Sequence, residues 1–124
     1  MPSTVRRGPR QIWQALIWSL KGLRAGWSHE ASFRLEVCLL VVLLPLGLWL
    51  GHGPVEKVLL GGSLLLVLAI ELLNSALEAL VDHVCPDIHP MAERAKDMGS
   101  AAVFIAMLGV LLTWVVILGA RLWS

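Results

Sequence analysis

Three long apolar segments constrain what this chain can fold into. They cover residues 31–50, 55–82 and 99–123 of a 124-residue chain that is 57% hydrophobic and 15% charged. About 20 helical residues cross the hydrocarbon core of a bilayer, so each segment is long enough to span it once. Backbone polar groups inside lipid must find partners within the span, which favours helices. The sequence therefore predicts a single-domain, all-α integral membrane protein with three transmembrane helices.

The first 29 residues are of a different kind. Residues 1–10 contain three arginines among proline, serine and glycine, which is typical of a basic tail at a membrane surface. In residues 9–29 the apolar side chains recur at steps of three and four, while Lys21 and Arg24 fall elsewhere. This pattern predicts an amphipathic helix that lies in the membrane interface.

The connections between the spans predict the topology. Residues 51–54, Gly-His-Gly-Pro, predict a tight hairpin after the first span, and Cys85-Pro86 predicts a break that opens a polar connection over residues 83–98. Five Lys and Arg residues precede the first span, one follows the hairpin, two lie in the 83–98 connection and one ends the third span. The positive-inside rule therefore predicts a multi-pass protein with its N-terminus and the 83–98 loop in the cytoplasm.

Four polar side chains interrupt the second apolar segment. Glu71, Asn74, Glu78 and Asp82 are separated by three, four and four residues, so they share one narrow stripe of a helix. A carboxylate in a membrane helix costs several kcal/mol on insertion scales, so the stripe needs a function. Contacts between helices and the proton-coupled site of a small membrane transporter are two alternatives for a single such residue.

Phosphoryl transfer would use the residue types that gather on the cytoplasmic side. Carboxylates bind Mg²⁺, Lys and Arg neutralise phosphate charge, and a further carboxylate accepts a proton. Glu30 and the cluster of residues 93–97 add these groups near the shallow end of the stripe. Gly61-Gly62 lies in an apolar helix and lacks the lysine of a Walker-type loop, so a nucleotide site here would have another design. A net charge of only +1 gives no indication of nucleic-acid binding.

Three runs resemble the bacterial membrane-integral diacylglycerol kinases. They are KGLRAGWSHEASFRLE at residues 21–36, ELLNSALEALVD at residues 71–82 and RAKDMGSAAV at residues 94–103. The resemblance extends from the surface helix to the third span. It implies a homotrimer in the bacterial inner membrane, with active sites shared between subunits at the cytoplasmic face. It also implies an ATP- and Mg²⁺-dependent kinase that converts diacylglycerol to phosphatidic acid.

The same resemblance implies a role for individual residues. Glu71 matches the general base on the lipid hydroxyl, Glu30 and Glu78 match the metal ligands, and Asn74 and Asp82 support them. The implied nucleotide contacts are Trp18, Glu30, Glu78, Asp87, His89, Arg94, Lys96 and Asp97. The implied lipid-substrate contacts are Glu71, Ser32, Phe33, Arg34, Leu35, Glu36, Ser100 and Trp114.

The chain also departs from the family pattern. Gln11 stands where the family has an arginine, His29 precedes Glu30 where the family often has asparagine, and Pro86 and Pro90 stiffen the loop. Undecaprenol kinases resemble the same family, so a polyprenyl alcohol is an alternative acceptor. Without the motif match, Glu30 and Arg34 would be explained as an ion pair one helical turn apart.

Overall fold

The computed structural model describes residues 8–123 and consists of four α-helices. They are α1 (Pro9–His29), α2 (Ala31–Leu50), α3 (Gly53–Val84) and α4 (Pro90–Trp123). The predicted all-α class is confirmed, and α2, α3 and α4 are each long and apolar enough to cross a membrane. Most of the predicted basic tail, residues 1–7, lies outside the described residues.

Helices α1 and α2 meet at Glu30. This residue has extended backbone angles, φ −121° and ψ 109°, so it ends one helix and precedes the next. One turn earlier, Gly26 is the point of closest approach between α1 and the spans. A Cβ there would lie 2.9 Å from Leu72 and 3.1 Å from Phe33, so only glycine fits without displacing them. The junction therefore holds the Glu30 carboxylate beside α3.

A two-residue connection joins α2 to α3. Gly53 has a φ of +82°, in the left-handed region where glycine has no Cβ penalty. Its position makes α3 begin two residues before the predicted start at residue 55. Pro45 is accommodated inside α2, which continues to Leu50. The predicted tight hairpin is thus present.

Helix α3 lies at the centre of the bundle and packs against both α2 and α4. The buried apolar side chains are few: Phe33, Leu60, Leu64, Val67 and Val103. The outward faces of all three spans carry exposed leucine and valine, as expected of helices whose solvent is lipid. A 32-residue α3 is about 48 Å long against a hydrocarbon core of about 30 Å. Its polar C-terminal turns therefore have room to project beyond the core.

The second connection is shorter than predicted. Helix α3 ends at Val84, next to the predicted break at Cys85-Pro86, but α4 already begins at Pro90. Residues 90–98 of the predicted loop are therefore the first turns of a 34-residue helix. His89 directly precedes this helix and caps its first turn, because its Nδ1 accepts a hydrogen bond from the Met91 N–H at 3.1 Å. Pro90 then fits the first helical position. The membrane boundaries predicted within α3 and α4 stay predictions.

An ion pair joins α3 to α4 at the far end of the bundle. Arg121 Nη2 lies 2.6 Å from Glu56 Oε1, which also accepts the His52 backbone N–H at 3.1 Å. Both charged side chains are partly exposed. Glu56 lies in the first turn of α3, where a negative charge also interacts favourably with the helix dipole. The contact closes the bundle opposite the polar stripe.

We expect Glu56→Gln to lower the stability of the detergent-solubilised protein slightly, because it removes a partly exposed ion pair and such pairs contribute little. A double-mutant cycle with Arg121→Gln, followed by reversible unfolding in a denaturing detergent, measures the coupling. Strictly additive losses would show that the two side chains do not stabilise each other.

Candidate active site

Glu71 is the first residue of the polar stripe and its most buried member. It is 7% exposed and is the one charged side chain in the buried class within residues 8–123. Ser75, one turn further along α3, is buried beside it. Glu36 approaches Glu71 from α2, and the carboxylates of Glu30 and Glu78 are close enough to repel the Glu71 charge. Carboxylates from three parts of the chain therefore interact with Glu71: Glu30 at the junction of α1 and α2, Glu36 on α2 and Glu78 on α3.

Asn74 links the stripe to α4. Its Nδ2 donates a hydrogen bond to Glu78 Oε1 at 3.4 Å, one turn further along α3. Its Oδ1 is buried against Gly99, where a Cβ would collide with it. That oxygen has no hydrogen-bond partner among the described residues, and neither does Glu36 Oε2. Two buried oxygen acceptors are thus left unsatisfied within residues 8–123, a costly arrangement unless something else binds them.

The shallow end of the stripe carries a cation. Lys96 Nζ on α4 lies 2.8 Å from Asp82 Oδ1 on α3, with 35% of the lysine and 61% of the aspartate side chain exposed. The charges of Glu93 and Glu78 also attract Lys96. An ion pair this exposed adds little stability. Its effect is to hold the Lys96 ammonium at the Asp82 end of the polar stripe.

A cavity of about 670 Å³ opens between α1 and α3, and we call it the α1–α3 groove. Its walls combine small residues with leucines: Ser19, Gly22, Leu23, Ala25 and Gly26 on α1, and Leu72, Leu73, Ser75, Ala76 and Ala79 on α3. Glu30 lines the groove where α1 ends. The groove thus brings Glu30 and the buried Ser75 to one cavity.

The predicted metal ligands do not form a complete metal site on their own. Within the described part of the chain, no three His, Cys, Asp or Glu residues come together as a metal-binding group. Of the two predicted ligands, Glu30 lines the α1–α3 groove, and both Glu30 and Glu78 act on the charge of Glu71. Mg²⁺ commonly binds to one or two carboxylates and completes its shell with water and substrate phosphates. The residues present fit such an ion.

The other predicted nucleotide residues are spread over α1, the second connection and α4, and of these Asp87 lines one small cavity with Asp82 and Lys96. Asp87 and His89 are in the short connection, and Arg94 and Asp97 are exposed on the first turns of α4. Trp18 is half-buried on α1. The nucleotide contacts predicted for Trp18, Asp87, His89, Arg94, Lys96 and Asp97 all stay predictions.

The predicted lipid contacts divide into exposed and internal residues. Ser32, Leu35 and Ser100 are exposed on α2 and α4. Phe33 is 2% exposed and packs against Gly26, within the core. Trp114 donates from Nε1 to the Leu60 carbonyl at 3.2 Å, far along the bundle from Glu71.

Arg34 contacts a backbone carbonyl and not Glu30, its partner in the alternative ion pair. Its Nη1 donates to the Trp27 carbonyl oxygen at 2.8 Å, across the break between α1 and α2. The ion pairs within residues 8–123 are Asp82–Lys96 and Glu56–Arg121, so the Glu30–Arg34 pair considered as an alternative is not formed there. The Glu30 carboxylate is therefore not paired with Arg34, and Glu30 lines the α1–α3 groove.

Three small residues of the site were missed at the sequence level. Gly26 and Gly99 permit the close approach of α1 and α4 to α3, and Ser75 lines the groove next to Glu71. A glycine inside a helix costs about 0.5–1 kcal/mol relative to alanine, so each was a signal of close packing. The sequence did not indicate which helix each glycine faces.

Comparison with known proteins agrees with the motifs. The family model described as prokaryotic diacylglycerol kinase matches residues 17–118. A protein named diacylglycerol kinase from Escherichia coli K12 is 43% identical over 111 residues, which is 90% of this chain and 91% of the relative. The protein of the same name from Pseudomonas aeruginosa PAO1 is 44% identical over 117 residues, 94% of this chain and 95% of the relative.

A more distant relative extends the same pattern. The protein named diacylglycerol kinase from Helicobacter pylori 26695 is 35% identical over 108 residues, which cover 87% of this chain and 84% of the relative. The family match begins within α1 and covers α2, α3, both connections and most of α4. The chain, a multi-pass membrane protein by its three apolar helices, therefore belongs to the prokaryotic diacylglycerol kinase family.

Proposed function

We propose that this protein transfers the γ-phosphoryl group of ATP to the free hydroxyl of diacylglycerol and so forms phosphatidic acid. The observation that carries the proposal is the buried Glu71 surrounded by Glu30, Glu36 and Glu78, with Lys96 at the open end. The relatives named diacylglycerol kinase support this acceptor, whereas the polyprenyl alcohol and the transporter gain no support from them.

Each end of the stripe has its own part in the reaction. Glu71 accepts the proton of the lipid hydroxyl. The hydroxyl oxygen forms the new bond to the γ-phosphorus as the bond between the γ-phosphorus and the β-phosphate oxygen breaks, which releases ADP. Lys96 neutralises phosphate charge from the shallow side. Positioning of the two substrates accounts for most of the rate, since phosphoryl transfer demands little covalent chemistry from the protein.

Mg²⁺ is the cofactor that the site accommodates best. Glu30 and Glu78 would hold it, and the unsatisfied Oδ1 of Asn74 lies on the same stripe as a further oxygen. When bound, the ion neutralises charge on the phosphates. Mutual repulsion among the carboxylates supports the need for a cation, because like charges this close oppose one another.

The site faces the cytoplasm in this proposal, with the N-terminus on the same side. The excess of Lys and Arg near α1 and in residues 83–98 supports this orientation in the bacterial inner membrane. We also propose a homotrimer. The α1–α3 groove is open at the side, and the exposed apolar faces of α2 and α4 leave room for neighbouring subunits that complete each site.

Labelled ATP given to the purified protein in lipid micelles tests the acceptor directly. Labelled phosphatidic acid is expected when diacylglycerol is present. Labelled polyprenyl phosphate formed in preference, from micelles containing both alcohols, would identify the acceptor as undecaprenol instead. The absence of any labelled lipid would refute the kinase proposal, and chemical crosslinking in native membranes reports the subunit number.

Replacing the base should separate chemistry from binding. Glu71→Gln keeps the side-chain size but removes the proton acceptor, so we expect kcat to fall by about 10²–10⁴-fold with nucleotide affinity nearly unchanged. Glu56→Gln is the matched control, because it makes the same change on the same helix at the opposite end of the bundle. A Glu71→Gln enzyme with most of its activity would show that another group takes the proton.

Replacing Lys96 should weaken the binding of ATP. Lys96→Gln removes a positive charge that would bind phosphate, so it is expected to raise KM for ATP by about tenfold. KM for diacylglycerol should change little. Lys57→Gln, at the start of α3, is the control. An unchanged KM for ATP in Lys96→Gln would place Lys96 outside the nucleotide site.

A further inference from the structure

Ser75 is a buried polar side chain that the phosphoryl-transfer scheme leaves unused. It is 8% exposed and lines the α1–α3 groove, one helical turn beyond Glu71. Its hydroxyl forms no hydrogen bond within residues 8–123. A buried hydroxyl without a partner is costly, and most such groups in native proteins are satisfied. We therefore expect a ligand in the groove to bind the Ser75 hydroxyl.

Other hydroxyl groups of the chain are satisfied within their own helices. Ser19, Ser63 and Thr113 each donate a hydrogen bond to a backbone carbonyl oxygen one turn earlier, at distances of 2.7 to 3.0 Å. Serine inside a helix commonly forms this bond or points to solvent. Ser75 is buried and does not form it, so its hydroxyl stays free to donate into the groove.

A purely structural role would explain only the small size of Ser75. Small residues let membrane helices approach closely, and Ser75 lies on the α3 wall of the groove together with Ala76 and Ala79. Alanine at position 75 would serve this packing equally well without burying a polar group. The hydroxyl therefore has a different role from its neighbours on the same wall.

The rest of the groove suits a hydrocarbon chain. Its volume is about 670 Å³, and leucine, alanine and glycine form most of its lining. The proposed substrate has two acyl chains, and an ester stands on the carbon next to the one that bears the free hydroxyl. The ester carbonyl oxygen only accepts hydrogen bonds, so it matches a lone donor. Ser75 and Glu71, four residues apart on α3, are neighbours on one helix face, as the ester and the hydroxyl are neighbours in the lipid.

We propose that the Ser75 hydroxyl donates a hydrogen bond to the ester carbonyl next to the reacting hydroxyl of diacylglycerol, while the attached acyl chain lies in the α1–α3 groove. Ser75 thus selects an alcohol with a neighbouring ester over one without it, such as a polyprenyl alcohol. A site that bonds a substrate group rejects an analogue lacking that group, because the buried partner stays unpaired. This inference rests on the proposed function, since it places the lipid hydroxyl at Glu71.

A comparison of diacylglycerol with dialkylglycerol of the same chain length tests the hydrogen bond. The ether links of dialkylglycerol have no carbonyl oxygen. In micelles with labelled ATP, we expect the full-length protein to show about fivefold higher kcat/KM for diacylglycerol, the effect of one neutral hydrogen bond. Ser75→Ala should raise KM for diacylglycerol by that factor, leave KM for ATP unchanged and lose the preference. Ser63→Ala is the matched control and should keep it, because the Ser63 hydroxyl bonds the Leu60 carbonyl.

A second variant tests the position of the acyl chain. Ala79→Leu narrows the groove without removing the hydroxyl, so it should raise KM for both lipids and keep the preference for diacylglycerol. An unchanged KM in Ala79→Leu would show that the acyl chain lies elsewhere.

The outcomes separate this inference from the kinase proposal. An unaltered protein without preference, a preference that survives in Ser75→Ala, or an equal loss on both lipids in Ser75→Ala would overturn the role of Ser75 while phosphorylation of diacylglycerol stands. The last of these results would indicate a packing role. Phosphorylation of neither lipid by the unaltered protein would refute the kinase proposal and this inference together.

Discussion

The structure depends on one physical constraint: a group of carboxylates lies within or at the edge of a membrane, where charge is expensive to bury. Glu71 meets this constraint by facing the interior of the bundle. Glu30, at the junction of α1 and α2, and Glu36, on α2, interact with Glu71 from that side. Exposed apolar side chains then cover the outer faces of the spans. The polar centre and the apolar exterior thus have the same cause: charged groups are costly to expose to lipid, whereas apolar side chains are not.

Close packing around α3 makes that polar centre possible. Gly26 lets α1 reach α3, and Gly99 lets α4 reach Asn74, because neither position has room for a Cβ. The Lys96–Asp82 pair then joins α4 to α3 at the open end of the group. Small residues thereby control where charged ones can meet, which connects helix packing to the chemistry of the proposed site.

The two ends of the bundle differ in what their charges do. At one end, Glu56 and Arg121 neutralise each other across α3 and α4 and close the structure. At the other end, carboxylates outnumber cations and two buried oxygens, on Glu36 and Asn74, find no partner among the described residues. A balanced end stabilises a fold, whereas an unbalanced one is suited to binding cations and the phosphates that accompany them.

The sequence by itself determined the helical class, the three spans, the break after Val84 and the polar stripe, because hydropathy and a 3.6-residue period are local properties. The motifs also determined the family. Only the tertiary structure decided that Glu36 reaches Glu71, that Asn74 faces Gly99 and that Glu56 pairs with Arg121. These contacts join residues of different helices, so they depend on how the helices pack, which no local pattern specifies. The start of α4 at Pro90 was likewise hidden, because a polar sequence is typical of a loop and of an exposed helix alike.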